Sequence, residues 1–89
     1  MELARWKTFS KHDQLLMIGS EIMRAGTWQR KDEEKFTSAL ERAFALVDLS
    51  LTDSKWGNMR YPLLFLRSEL AEFYAAERTD DIVSLYNAL

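Results

Sequence analysis

The side chains that could do chemistry in this 89-residue chain are few, and the first to consider is its single histidine, His12. A serine–histidine–aspartate unit would have to use that imidazole as its general base, because no second histidine exists. No sequence signal places a serine in the strained turn that such a nucleophile needs. The absence of cysteine excludes thiolate nucleophiles, thiolate metal ligands and disulfides. We therefore predict no catalytic residue and interpret His12 as a solvated side chain in the first turn of a helix.

Carboxylates are the second set of candidates. A di-metal site in a helical bundle needs inward-facing glutamates together with Glu-x-x-His pairs, and no such pair occurs, so Glu41, Glu69 and Glu72 are interpreted as solvated. The sequence predicts no metal site and no cofactor. Asp48 lies in an apolar stretch, and we predict that it is a structural tie that accepts hydrogen bonds from the neighbouring Lys55–Trp56 segment.

Three tryptophans stand beside basic residues, at Trp6, Trp28 and Trp56. Indoles at segment ends are typical of helix termini, where the ring covers a core and its N–H finds a partner. The same pairing of rings and cations suits single-stranded nucleic acid. The formal net charge of −2 gives no general attraction to phosphate, so nucleic acid remains the secondary hypothesis.

Composition sets the scale of the fold. With 47% apolar residues the chain can bury one core, and we expect a single domain over residues 1–89. No apolar run reaches the roughly 18 to 20 residues that span a bilayer, and the N-terminus lacks the basic start and apolar stretch of a signal peptide. We expect no membrane insertion and a cytoplasmic location.

Helical signals divide the chain into an all-α pattern. Ser10 to Asp13 reads as a capping box that starts a helix over about residues 11 to 26, ended by Gly26 in a left-handed conformation. A short turn carrying Leu3, Trp6 and Phe9 precedes it. The acids at 32–34 start a second helix, which the polar cluster 52–54 ends.

Pro62 predicts the start of the third helix, which runs to Ala76. A short turn over residues 55–59 precedes it, and one longer helix kinked at Pro62 is the alternative. The sequence 79–81 caps a last short helix. Short connections favour antiparallel neighbours, so the sequence predicts a small antiparallel bundle of three main helices with a short fourth helix at the C-terminus.

This topology gathers basic and aromatic residues at one end of the bundle. We name this set the basic–aromatic pole, and it is the first candidate for a ligand or partner surface. Its members are Arg5, Trp6, Lys7, Lys11, His12, Lys55, Trp56 and Arg60.

The run Leu63 to Leu66 predicts a second surface. Successive helical residues lie about 100° apart, so four apolar residues in a row cover more of the circumference than one buried face can absorb. We therefore predict a non-catalytic protein-interaction module that self-associates as a homodimer or binds a protein partner. The predicted interface residues are Phe44, Leu51, Leu64 and Phe65.

The helix from Asp13 to Ala25 and the segment Glu41-Arg42-Ala43 resemble the small bacterial helical bundles that include HEPN-type proteins. The resemblance implies a ribonuclease or a partner in a toxin–antitoxin pair, with a catalytic arginine followed by a histidine after four to six residues on a late helix. Arg5 and His12 match that spacing but lie early in the chain, and the predicted cap at Ser10 separates them. We do not transfer the activity, and an RNA-associated or HEPN-like ribonuclease bundle stands as the alternative function.

Overall fold

Two long antiparallel helices form the centre of the protein, whose computed structural model describes residues 2–89. Helix α2 spans Lys11–Trp28 and helix α3 spans Glu33–Leu51. Ser10 and Asp32 cap their N-termini by accepting the N–H groups of Asp13 and Lys35, as the sequence predicts. The two helices bury the apolar stripe that includes Ile18 of α2, and this hairpin is the main body of the core.

The α2 terminus lies beyond its predicted position. The helix continues through Gly26 to Trp28, and the left-handed residue in the connection between α2 and α3 is Arg30, with φ 65°. Gly26 instead lies against the C-terminal part of the chain, where a Cβ atom would approach Val83 Cγ2 to 2.6 Å. The prediction of a glycine cap was therefore wrong, because the missing side chain serves packing between helices rather than chain reversal.

A 3-10 turn and a third helix follow α3. The turn spans Ser54–Trp56, and Gly57 with φ 47° separates it from helix α4, Tyr61–Tyr74. Pro62 lies in the first turn of α4, as predicted, and the interruption at Gly57 rules out one long helix kinked at the proline. The helix ends two residues before its predicted limit, and Ala76 has a φ of 60°.

The chain closes with a short helix that packs on α2. Helix α5 spans Val83–Asn87, and Asp81 accepts its first N–H at 3.0 Å. It runs antiparallel to α2, because Val83 lies beside Gly26 while Tyr86 and Leu89 lie beside Gly19. The two glycines, seven residues apart on one face of α2, allow this close approach.

A short N-terminal helix completes the bundle. Helix α1 spans Leu3–Trp6 and buries Trp6 completely against α3. Residues 2–89 contain no strand, and the five helices pack around one apolar cluster. The predicted all-α bundle, with three main helices and a short C-terminal helix, is confirmed. The starts of α2 and α4 and the ends of α1 and α3 lie at the same pole of a molecule about 36 Å long.

Candidate functional site

The structure brings the basic–aromatic pole together, but it buries the rings. Trp6 is fully buried and Trp56 is 4% exposed, so neither indole presents a face on which a base could stack. The Lys55 ammonium donates to the Lys7 carbonyl at 2.9 Å, and the Lys11 ammonium lies 5.9 Å from the centre of the Trp56 ring. The side chains of Arg5, Lys7, His12 and Arg60 are exposed.

A buried polar network lies beneath these side chains and holds together the segments that form the basic–aromatic pole. The Trp6 indole N–H donates to Ser50 Oγ at 3.0 Å, and the Trp56 indole N–H donates to Gln14 Oε1 at 2.7 Å. The Gln14 amide donates to the Trp6 carbonyl at 3.1 Å and to Asp53 Oδ2 at 2.9 Å. Every buried side-chain polar atom in the described part of the chain has a partner. The network therefore joins α1, α2, the end of α3 and the 3-10 turn, and its role is structural.

Asp53 carries the charge in this network. Burial alone would raise its pKa, but hydrogen bonds from the Lys55 backbone N–H, the Gln14 amide and the Lys55 ammonium outweigh that effect and lower the pKa to about 2. The carboxylate is thus ionised at neutral pH and fully engaged. A general base must also be within reach of a substrate, and the Asp53 side chain, which accepts three hydrogen bonds, is only 3% exposed.

Asp48 ties two helices together, as predicted, but through a different partner. It is exposed and accepts a hydrogen bond from Arg67 Nε of α4 at 2.7 Å, and this contact raises the pKa of Arg67. The hydrogen bonds predicted from the Lys55–Trp56 segment reach Asp53 instead, so the partners predicted for Asp48 were wrong. Gln14 was not predicted at all, and its position among the apolar residues of α2 was the available signal.

The predicted interface residues divide between two faces. Glu41 accepts from the Tyr74 hydroxyl, and Asp48 pairs with Arg67, so α3 and α4 lie in a register that places Leu51 level with Leu64. Phe44 lies on the same side, with its ring 5.8 Å from that of Tyr74. Phe65 lies on the other flank of α4, toward α5, and the four residues therefore do not form one patch.

The flank that carries Phe65 is part of a larger apolar surface. Its half-exposed side chains include Leu16, at 49%, Phe65, at 50%, and Leu89, at 46%. Two cavities, of about 180 and 140 Å³, share Leu15 and Leu89 as walls and make the surface continuous from α2 across α5 to α4. We name this surface the C-terminal apolar face, and its residues are Leu15, Leu16, Pro62, Phe65, Tyr86, Ala88 and Leu89.

A separate cavity of about 400 Å³ lies at the opposite pole, between the α2–α3 connection and the end of α4. Phe36 and Phe73 line it together with a ring of charged side chains, which are Arg30, Lys31, Asp32, Glu33 and Arg78. Two of its wall residues, Arg30 and Ala76, have the only positive φ angles among the described non-glycine residues. Sequence reasoning missed this cavity because it is formed by backbone reversals that no glycine marks.

Residues 2–89 contain no cluster of three or more side chains suited to a metal ion. None of the described helices combines the length and the apolar character required to cross a bilayer. Comparison with protein-family models, with curated proteins and with solved structures gives no match.

Proposed function

We propose that this chain is a non-catalytic interaction module that self-associates through the C-terminal apolar face. The observation that carries the proposal is the group of half-exposed apolar side chains contiguous around Leu89. Of the side chains that line its two cavities, only His12 is not apolar. Contiguous apolar patches of a few hundred Å² are often functional in monomeric proteins.

A second copy of the chain is the occupant that the surface favours. A two-fold contact places the same patch on both partners, and a patch of apolar side chains is complementary to itself. The formal net charge of −2 adds little repulsion between copies.

The size of the face indicates a modest affinity. Its four most exposed large side chains, Leu16, Phe65, Tyr86 and Leu89, present roughly 300 Å² of apolar area. A standard interface buries about 800 Å² per partner, so this area would form its apolar centre and the surrounding polar residues its rim. After the cost of association, we expect a dissociation constant in the micromolar range.

Adjacent residues of α4 provide a matched test. Leu64 and Phe65 are 51% and 50% exposed but lie on different flanks of the helix. Light scattering across a concentration series should show a dimer for the parent chain and for Leu64→Lys, and a monomer for Phe65→Lys. Circular dichroism of each variant establishes that the helices are retained.

Three results would count against the proposal. A parent chain that stays monomeric at high micromolar concentration would refute self-association. Loss of the dimer in Leu64→Lys alone would move the interface to the side of Phe44 and Leu51, and an undisturbed dimer in both variants would exclude both flanks of α4.

The alternative function, RNA association, finds less support in the geometry. Arg5 lies on α1 and His12 on α2, so the two residues do not share one helix, and the indoles beside them are buried. The cations of the basic–aromatic pole remain exposed, and a binding assay with single-stranded RNA is the direct measurement for this alternative.

A further inference from the structure

The 400 Å³ cavity lies at the pole opposite the basic–aromatic pole and outside the C-terminal apolar face, and it has the dimensions of a small-molecule site. Ligand pockets in proteins occupy about 300 to 1,000 Å³ and combine an apolar lining with a few polar groups. Here the apolar part is supplied by Phe73, which is 3% exposed, and by the half-buried Phe36.

Hydrogen bonds from the end of α2 fix the wall that contains Thr79. The Gln29 amide donates to the Asp80 carbonyl at 2.8 Å and its oxygen accepts the Ile82 N–H at 2.9 Å. The Arg30 guanidinium donates to the Thr79 carbonyl. These bonds connect the α2–α3 connection to the segment between α4 and α5, so the cavity is formed before any ligand enters it.

The charged side chains around the cavity fall into two groups. Arg78 lies 4.8 Å from the centre of the Phe73 ring and pairs with Glu69 and Asp80, contacts that raise its pKa and lower that of Asp80. Asp32 Oδ1 accepts the Lys35 N–H. Arg78 is therefore committed within the protein, whereas Asp32 uses only Oδ1 for the helix cap.

The other group is available to a ligand. Within residues 2–89 the side chains of Lys31 and Glu33 make no hydrogen bond and no ion pair, and both are exposed at the cavity. Arg30 uses one guanidinium nitrogen for its contact with Thr79. Lys31 and Arg30 thus present cationic donors at the cavity, and Glu33 presents a carboxylate without a protein partner.

We propose that this cavity binds a small zwitterion with an apolar side chain, that is, a free aromatic or branched α-amino acid. Lys31 and Arg30 pair with its carboxylate, Glu33 pairs with its ammonium, and the side chain packs on Phe36. A ligand of one charge would pair with only one of these two groups, whereas a zwitterion pairs with both.

L-Phenylalanine is the probe, and amide chemical shifts in heteronuclear NMR are the readout. Its titration should give saturable shifts in residues 29–36 and 73–79 with a millimolar dissociation constant, as expected for a ligand of this size. Three analogues each lack one feature: 3-phenylpropanoate lacks the ammonium, 2-phenylethylamine lacks the carboxylate, and glycine lacks the apolar side chain. Each should bind about three- to ten-fold more weakly.

Neighbouring residues of the same type supply control variants. Lys31→Ala and Glu33→Ala should each raise the dissociation constant for L-phenylalanine about three- to ten-fold. Lys35→Ala and Glu34→Ala remove the same charges from residues that line a different cavity, and binding should be unchanged. The absence of saturable shifts at the cavity would overturn the proposal, as would equal binding of all four probes or equal losses in the control variants.

Discussion

Replacement of Gln14 by leucine tests whether the buried polar network stabilises the fold. The leucine has a similar size but removes the acceptor of the Trp56 indole N–H and one of the donors to Asp53. Trp6 O and Asp53 Oδ2 keep other partners, because they also accept from the Phe9 N–H and the Lys55 ammonium. Two groups are therefore left without a protein partner, the buried Trp56 N–H and the carbonyl of the half-buried Phe9, which accepts from the Gln14 amide at 3.4 Å.

The magnitude follows from this count. A buried donor without a partner costs about 1 to 3 kcal/mol, and a lost hydrogen bond to a charged group costs about 1.5 to 3 kcal/mol. We expect Gln14→Leu to lower the free energy of unfolding by about 3 to 4 kcal/mol. A chain of this length has a total stability of about 4 to 13 kcal/mol, so the loss is a large fraction of the total and reaches the limit of folding at the lower end of that range.

Urea unfolding followed by circular dichroism measures the loss, and a double-mutant cycle assigns it. Trp56→Phe removes the indole N–H, so the double variant Gln14→Leu/Trp56→Phe should lose about 1 to 2 kcal/mol less than the two single losses added together. A loss below 1 kcal/mol in Gln14→Leu would refute the reasoning. Strictly additive losses would show that the cost arises from packing and not from the orphaned donor.

Further predictions concern helix packing, acid stability and a surface ion pair. Gly26→Ala should lower stability by about 1 to 2 kcal/mol and weaken amide protection in α5, since the added Cβ would lie 2.6 Å from Val83 Cγ2 and this clash outweighs the gain in helix propensity. The pKa of Asp53 is lowered to about 2, so its stabilising contribution is complete above its unfolded pKa of about 3.9 and is lost as the pH falls toward 2. The urea midpoints of the parent and of Asp53→Asn should therefore converge as the pH falls over that interval. We expect this contribution to be about 1 to 2 kcal/mol, because nearby solvent screens the electrostatic interactions of Asp53. Asp48→Ala should change stability by less than about 1 kcal/mol in the same assay, because its ion pair with Arg67 is about half exposed on both sides.

Local signals in the sequence were sufficient for the helices. Ser10 and Asp32 act through bonds to residues three positions later, and Pro62 acts through its own ring, so each could be interpreted without knowledge of the tertiary structure. The role of Gly26 and the partner of Asp48 were misinterpreted for the opposite reason. Each depends on a residue from a distant part of the chain, Val83 and Arg67, and no local pattern records that encounter.

The candidate surfaces also combine local features, which the sequence indicates, with long-range contacts, which it does not. The excess of apolar residues at Leu63 to Leu66 did indicate exposed apolar side chains, and Leu64 and Phe65 are half exposed. Their separation onto two flanks, and the contribution of Leu89, depend on where α5 lies against α2. The cavity lined by Lys31 and Glu33 depends on two backbone reversals at residues that ordinarily avoid positive φ.

The buried polar network also has a consequence for the order in which the chain acquires structure. All its hydrogen bonds join residues between positions 6 and 56, from the Trp6 indole to the Trp56 indole. None of them requires α4 or α5. The first three helices can therefore be joined by these hydrogen bonds before α4 and α5 have packed against them. Helices α4 and α5 then pack against helices that the buried network already holds together.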